Sequence, residues 1–195
     1  MNTAAAHGAK GLAWFFLYMR EPHGNNRVPP IDEHWERTET FEWMSRVLRT
    51  FHSMHGPTLT KLNLHQAWHV GTAYGDWPTR IDSEFVQGVR SEFDVIVSEF
   101  FDAAGRPYVA IVNNTFTESG QAVITWHGKC KVYRIGWESK ESLHRNYIDD
   151  DNPANTAVMT GPWLAPGQME LYRLDYSEDD LPAGYHLSEA AAKGS

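Results

Sequence analysis

A mainly β protein, an antiparallel β-sandwich preceded by one strand and one amphipathic α-helix, follows from three features of this 195-residue chain. An apolar run, Leu12 to Tyr18, stands first; apolar residues then recur at helical spacing from Phe41 to Met54; from Phe85 onward, β-type segments alternate with turn residues. A lone strand followed by a helix is half of a βαβ unit, which normally sits among parallel neighbours. No such neighbours follow here. The order of parts therefore predicts the tail of something larger, with most of its chemistry upstream of Met1.

The run from Ala9 to Tyr18 is continuous rather than alternating, which predicts a strand buried on both faces, as in a parallel sheet. It turns polar abruptly at Arg20-Glu21-Pro22-His23-Gly24-Asn25-Asn26, a loop rich in side chains able to hydrogen-bond a ligand. Pro29-Pro30 excludes regular structure at that point. Phe41, Met44, Val47, Leu48, Phe51 and Met54 then form a stripe of period 3.6, with Thr38 or Thr40 as cap, Glu39 and Glu42 near the positive end, and Gly56-Pro57 as the stop. Gln66 to Val70 reads as the first strand of the next unit.

Phe93 to Phe101 and Pro107 to Asn113 flank Asp102-Ala103-Ala104-Gly105-Arg106, a short loop with glycine placed for a hairpin. Further strands are expected over Gln121 to Trp126, Lys131 to Trp137 and Glu170 to Asp175, with a long Asp/Asn/Pro-rich connection from Ser139 to Pro162. Strands at this spacing predict an antiparallel sandwich. The division expected is a terminal βα unit over residues 1–64, a β-sandwich over 65–187, and a linker or tag over 188–195, where Glu189-Ala-Ala-Ala-Lys193 matches a helical spacer repeat.

The formal net charge of −8, with no Lys/Arg cluster, gives no electrostatic footprint for nucleic acid or anionic lipid. No stretch reaches the roughly 18 apolar residues that span a bilayer. The first residues lack the pattern of a secretory signal, which leaves the compartment open. Cys130 stands alone, so no intramolecular disulfide and no thiolate-rich zinc site is expected. Eight Trp, eight Tyr and nine Phe fit two uses, stacking on sugar rings and filling a β core.

Gly8 to Phe16, then Ile31-Asp32-Glu33-His34-Trp35-Glu36-Arg37-Thr38, then the helix and Gly56-Pro57-Thr58-Leu59, resemble the eighth strand, loop and final helix of a (β/α)8-barrel glycoside hydrolase. The Asp102 to Arg106 hairpin, the strand Tyr108 to Asn114 and the segment Trp163 to Leu174 are similar to the C-terminal β-sandwich that often follows such barrels. β-Galactosidase- and agarase-like barrels are the nearest type. The resemblance implies that the two carboxyl groups of glycoside hydrolysis lie on earlier barrel strands. It implies that this chain contributes an aromatic platform and polar contacts at the barrel's C-terminal face: Trp14, Phe16 or Tyr18, with Arg20 and Glu21 in the loop.

Trp14, Tyr18, Arg20 and Glu21 are thus the candidate carbohydrate-binding residues. Glu21 is the one candidate for a catalytic carboxylate, against the alternative of a solvated pair with Arg20. Asp32 and Glu33 read as a polar loop. His52 and His55, and His65 and His69, have spacings that can share a face, but neither pair has a carboxylate in a known zinc arrangement, and in a strand the second pair is about 13 Å apart. Asp149-Asp150-Asp151-Asn152 reads as a solvated acidic loop without the spacing of a calcium site. No metal site and no cofactor is expected.

Three functions follow in order: an accessory, catalytically incomplete part of a glycoside hydrolase; a free-standing carbohydrate-binding β-sandwich; a small metalloenzyme built from the histidines. The partners expected are carbohydrate and the remainder of a barrel, or else a second copy of this chain, since the Leu12 to Tyr18 run invites association.

Overall fold

The computed structural model describes residues 1–14, 17–18, 28–79, 82–144, 147–148, 157–177, 179 and 181. Three helices come first: α1 (Asn2–Ala6), α2 (Glu39–Met54) and α3 (Gly56–Leu59). Among the described residues ten strands follow: β1 (Asn63–Val70), β2 (Val86–Arg90), β3 (Val95–Phe101), β4 (Pro107–Asn113), β5 (Gly120–Trp126), β6 (Cys130–Ile135), β7 (Glu141–His144), β8 (Tyr147–Ile148), β9 (Ala157–Leu164) and β10 (Met169–Tyr176). They form a six-stranded sheet in the order β1-β3-β4-β10-β6-β7 and a four-stranded sheet in the order β2-β5-β9-β8. Among the described residues, every pairing between these strands is antiparallel. The chain is mainly β.

The period of two along a strand decides what each residue touches. In β3 and β4, Val95, Val97, Phe101, Val109 and Ile111 join a cluster with Trp126, Ile124 and Phe85 from the four-stranded sheet region. Their alternates Ile96, Phe100, Tyr108, Ala110 and Val112 face the other way, onto Ala5, Ala6, Leu59 and Leu62 of the helical segment. Both strands are therefore buried at every position. The hairpin between them is fixed locally. Asp102 Oδ1 accepts the backbone N–H of Ala104 and Arg106, Oδ2 accepts Arg106 Nε at 2.7 Å, and Gly105 takes a left-handed conformation, φ 78°.

The expected helix forms, starting after Thr38. The Thr38 hydroxyl does not cap it; it donates to the carbonyls of Pro29 and Pro30 instead. Gly56-Pro57 ends α2 as expected, and Pro57 then sits in the first turn of α3. Of the α2 stripe, no residue is fully buried, and Val47 is 52% exposed. Among the described residues no helix is long and apolar enough to cross a membrane.

Three expectations are corrected. Leu12 to Trp14 form no strand and are exposed; Tyr18 makes only a single parallel bridge, to Ile31. A strand needs a partner for its N–H and C=O groups, and among the described residues none runs beside Leu12 to Trp14. The Ser139 to Pro162 stretch, expected as a connection, carries β7, β8 and most of β9. Pro162 is tolerated in β9 because the ladder slips there: Gln121 pairs with Trp163 but Val123 with Thr160, so a bulge takes up the residue that has no N–H to give. The strand expected over Lys131 to Trp137 ends at Ile135, and Trp137 begins a 3-10 turn. Residues 188–195 lie outside the described residues.

Candidate functional site

Of the sequence-predicted site residues, Trp14 and Tyr18 are described, and both precede α2. Trp14 is 55% exposed outside regular structure. Tyr18 stacks face to face on Trp35, with ring centroids 4.6 Å apart and planes within 4°. Trp35 is presented by a tight turn: Asp32 Oδ1 accepts the N–H of His34 and Glu36 at 2.9 Å each, the Trp35 N–H donates to Asp32 O, and Trp35 itself adopts φ 65°. An L-residue held in that conformation with 74% of its surface open is displayed rather than packed. Asp32 is thus the builder of the turn, and Glu33 lies 3.9 Å from the His34 ring on the surface. Arg20 and Glu21, with Phe16, lie outside the described residues. An indole backed by a phenol ring has the flat, apolar and polar-edged character that stacks on a pyranose.

Among the described residues, the buried carboxylates of the β region, Glu99, Asp102 and Glu170, are committed to partners. Glu170 and Arg134 form a bidentate pair at 2.6 and 2.7 Å, and Gln168 lies 3.4 Å from the same carboxylate. Glu99 accepts the Ser83 hydroxyl and Gln66 Nε2, while Ser83 Oγ in turn accepts the backbone N–H of Phe85 and Val86. Burial pushes the Glu99 pKa up, and the Ser83, Gln66 and Phe85 donors oppose that rise. Glu99 therefore pins the turn that leads into β2. A cleft of about 500 Å³ lies beside this turn, lined by Trp68, Ser83, Val86, Gln87 and His127 among others. Glu99 is not one of its lining residues.

The histidine pairs singled out by spacing are not brought together. His52 is exposed, whereas His55 is buried, and burial lowers its pKa. His65 sits at a bulge of β1 with its ring edge-on to Phe101, and His69 is buried. His69 instead meets His7, whose Nε2 lies 3.2 Å from its own. Residues 62 apart in the chain carry no spacing signal, so sequence reasoning passed over His7. Trp35 was equally hidden as a display position, although the Asp-x-x-Trp order across the turn was a usable sign. Asp149 to Asn152 lie outside the described residues. No family model, no curated protein and no solved structure matches the chain.

Proposed function

We propose that this chain is the trailing portion of a (β/α)8-barrel glycoside hydrolase of the β-galactosidase or agarase type, catalytically incomplete alone, with its two sheets serving as the accessory β-sandwich that supports the barrel. The observation that carries this reading is the uncovered apolar side of the front segment. Phe51 packs on the buried cluster that α1 and α3 share with the six-stranded sheet. Val47 and Trp43 of the same helix, together with Leu12, Trp14, Leu17, Val28 and Trp35, remain exposed. An amphipathic helix owes its stability in water to burial of such a stripe, and here the stripe is only partly covered. A barrel's last helix has that need, with barrel strands on one side and a trailing domain on the other.

The structural commitments of Glu99, Glu170 and Asp102 also support the reading. Glycoside hydrolysis needs two carboxyl groups free to act across the scissile bond, and these three are engaged with Ser83, Arg134 and Arg106. The part of this chain that would reach the sugar is the aromatic front, Trp14, Tyr18 and Trp35. The purified chain is expected to leave a panel of chromogenic glycosides intact and to self-associate in light scattering. Robust turnover abolished by Glu21→Gln contradicts the proposal. So does a strict monomer that binds no hydrophobic dye.

A free-standing carbohydrate-binding module is the second reading, favoured by Trp137 and Trp163, which are exposed on the β region itself. Affinity electrophoresis separates the two. Retardation by a glycan that Trp163→Ala removes supports the module, and retardation that Trp35→Ala removes supports the barrel fragment.

A further inference from the structure

His7 follows α1 and His69 lies near the end of β1, an edge strand of the six-stranded sheet. Their Nε2 atoms face each other at 3.2 Å. On the far side of each ring, His7 Nδ1 is 2.8 Å from the carbonyl of Thr3 and His69 Nδ1 is 3.4 Å from that of Thr72. A carbonyl oxygen only accepts, so each Nδ1 carries its ring's hydrogen. In the neutral rings, both Nε2 lone pairs are then directed at one another with no hydrogen between them. Such a pair is completed by a positive species in the gap, either an extra proton or a metal ion.

The geometry of the pair fits the metal. An Nδ1–H directed at a backbone carbonyl is the arrangement that orients metal-binding histidines. Two nitrogens each about 2.0–2.1 Å from a zinc ion, at a near-tetrahedral angle, lie about 3.3 Å apart. The Trp77 ring packs on His7 at 4.1 Å, which fixes that ring from the side. Asp94, which accepts the Thr72 N–H at 3.0 Å, places a negative charge close by.

We propose that His7 and His69 form a two-imidazole site for a divalent ion of the zinc, nickel or copper class. No third His, Cys, Asp or Glu joins them among the described residues, so water completes the coordination sphere. The ion ties the end of α1 to the edge of the sheet. This site is independent of the glycoside hydrolase reading.

The test uses the full chain, freed of metal by chelation and titrated with zinc chloride, with magnesium chloride as control. One zinc ion is expected to bind per chain and to raise the melting temperature, with no effect of magnesium. In His7→Ala the melting temperature of the metal-free protein stays close to the original, while zinc binding weakens by at least about tenfold. Because His69 is buried and its replacement can disturb folding, the second measurement is nitrogen NMR of the histidine rings in the unaltered chain. Zinc is expected to shift Nε2 of two rings that already carry hydrogen on Nδ1. Equal zinc binding by the original chain and His7→Ala overturns the proposal. A pair that takes up one shared proton and no zinc overturns it as well.

Discussion

Strands β3 and β4 and helix α2 each present an apolar face, yet the strands are buried at every position and no residue of the helix is fully buried. The strands have cover on both sides, the second sheet on one and α1 with α3 on the other. The helix is covered in part: Phe51 packs on the cluster shared with the sheet, Phe41, Met44, Leu48 and Met54 are half-buried, and Val47 and Trp43 stay exposed. An apolar pattern therefore states what has to be covered and leaves open what covers it. The two segments differ here in how completely the described residues cover their apolar faces. The glycoside hydrolase reading takes the helix's further partner to be the rest of a barrel.

If that contrast is correct, truncation should cost far more in the strands than in the helix. The largest effect is expected from Trp126→Ala, which empties a fully buried position in the shared cluster. A loss of about 3–5 kcal/mol in urea unfolding is expected. Arg134→Ala comes next, because it leaves the wholly buried Glu170 carboxylate without its partner. Arg134 is itself 38% exposed and solvent relieves part of the penalty, so about 3 kcal/mol is expected, the low end for a broken buried pair.

A smaller effect comes from acid. Burial lowers the pKa of His55 and of His69 below the ordinary 6.5, so the unfolded chain takes up protons before the fold does. Stability is then full above about pH 6.5 and declines as the pH falls through that value toward the depressed folded values. Glu99 works in the opposite sense. Its raised pKa means that the unfolded carboxyl ionises first as pH rises past 4.5, so its contribution is lost between 4.5 and the folded value. Melting temperature is expected to drop between pH 7 and 5.5, and to drop more steeply in Glu99→Gln. A flat profile in both proteins contradicts this. The smallest effect belongs to the helix: Val47→Ser should change stability by less than about 0.5 kcal/mol while reducing dye binding and self-association.

What could be read from the sequence was what local chemistry determines. The Asp102 to Arg106 hairpin was legible because Asp102 and Gly105 close it within five residues, and α2 because its stripe repeats every turn. Leu12 to Trp14 misled because continuous apolar character fits any element that is covered on both faces; β3 and β4 have that character in an antiparallel sheet. β9 was hidden by Pro162, whose bulge is set by pairing with β5, far away in the chain. At the candidate site, Trp14 and Tyr18 were named only through the resemblance to a barrel's last strand. Trp35 and the His7–His69 contact were missed, since one depends on a left-handed turn and the other on a fold that joins α1 to β1.

The central claim, that the front segment lacks the cover its apolar face requires, is tested most directly by amide hydrogen exchange on the dilute chain. Amides of Glu39 to Thr50 are expected to exchange through local opening, orders of magnitude faster than those of β3 and β4, which should open only with global unfolding. Protection in the helix equal to that of the strands would contradict the account.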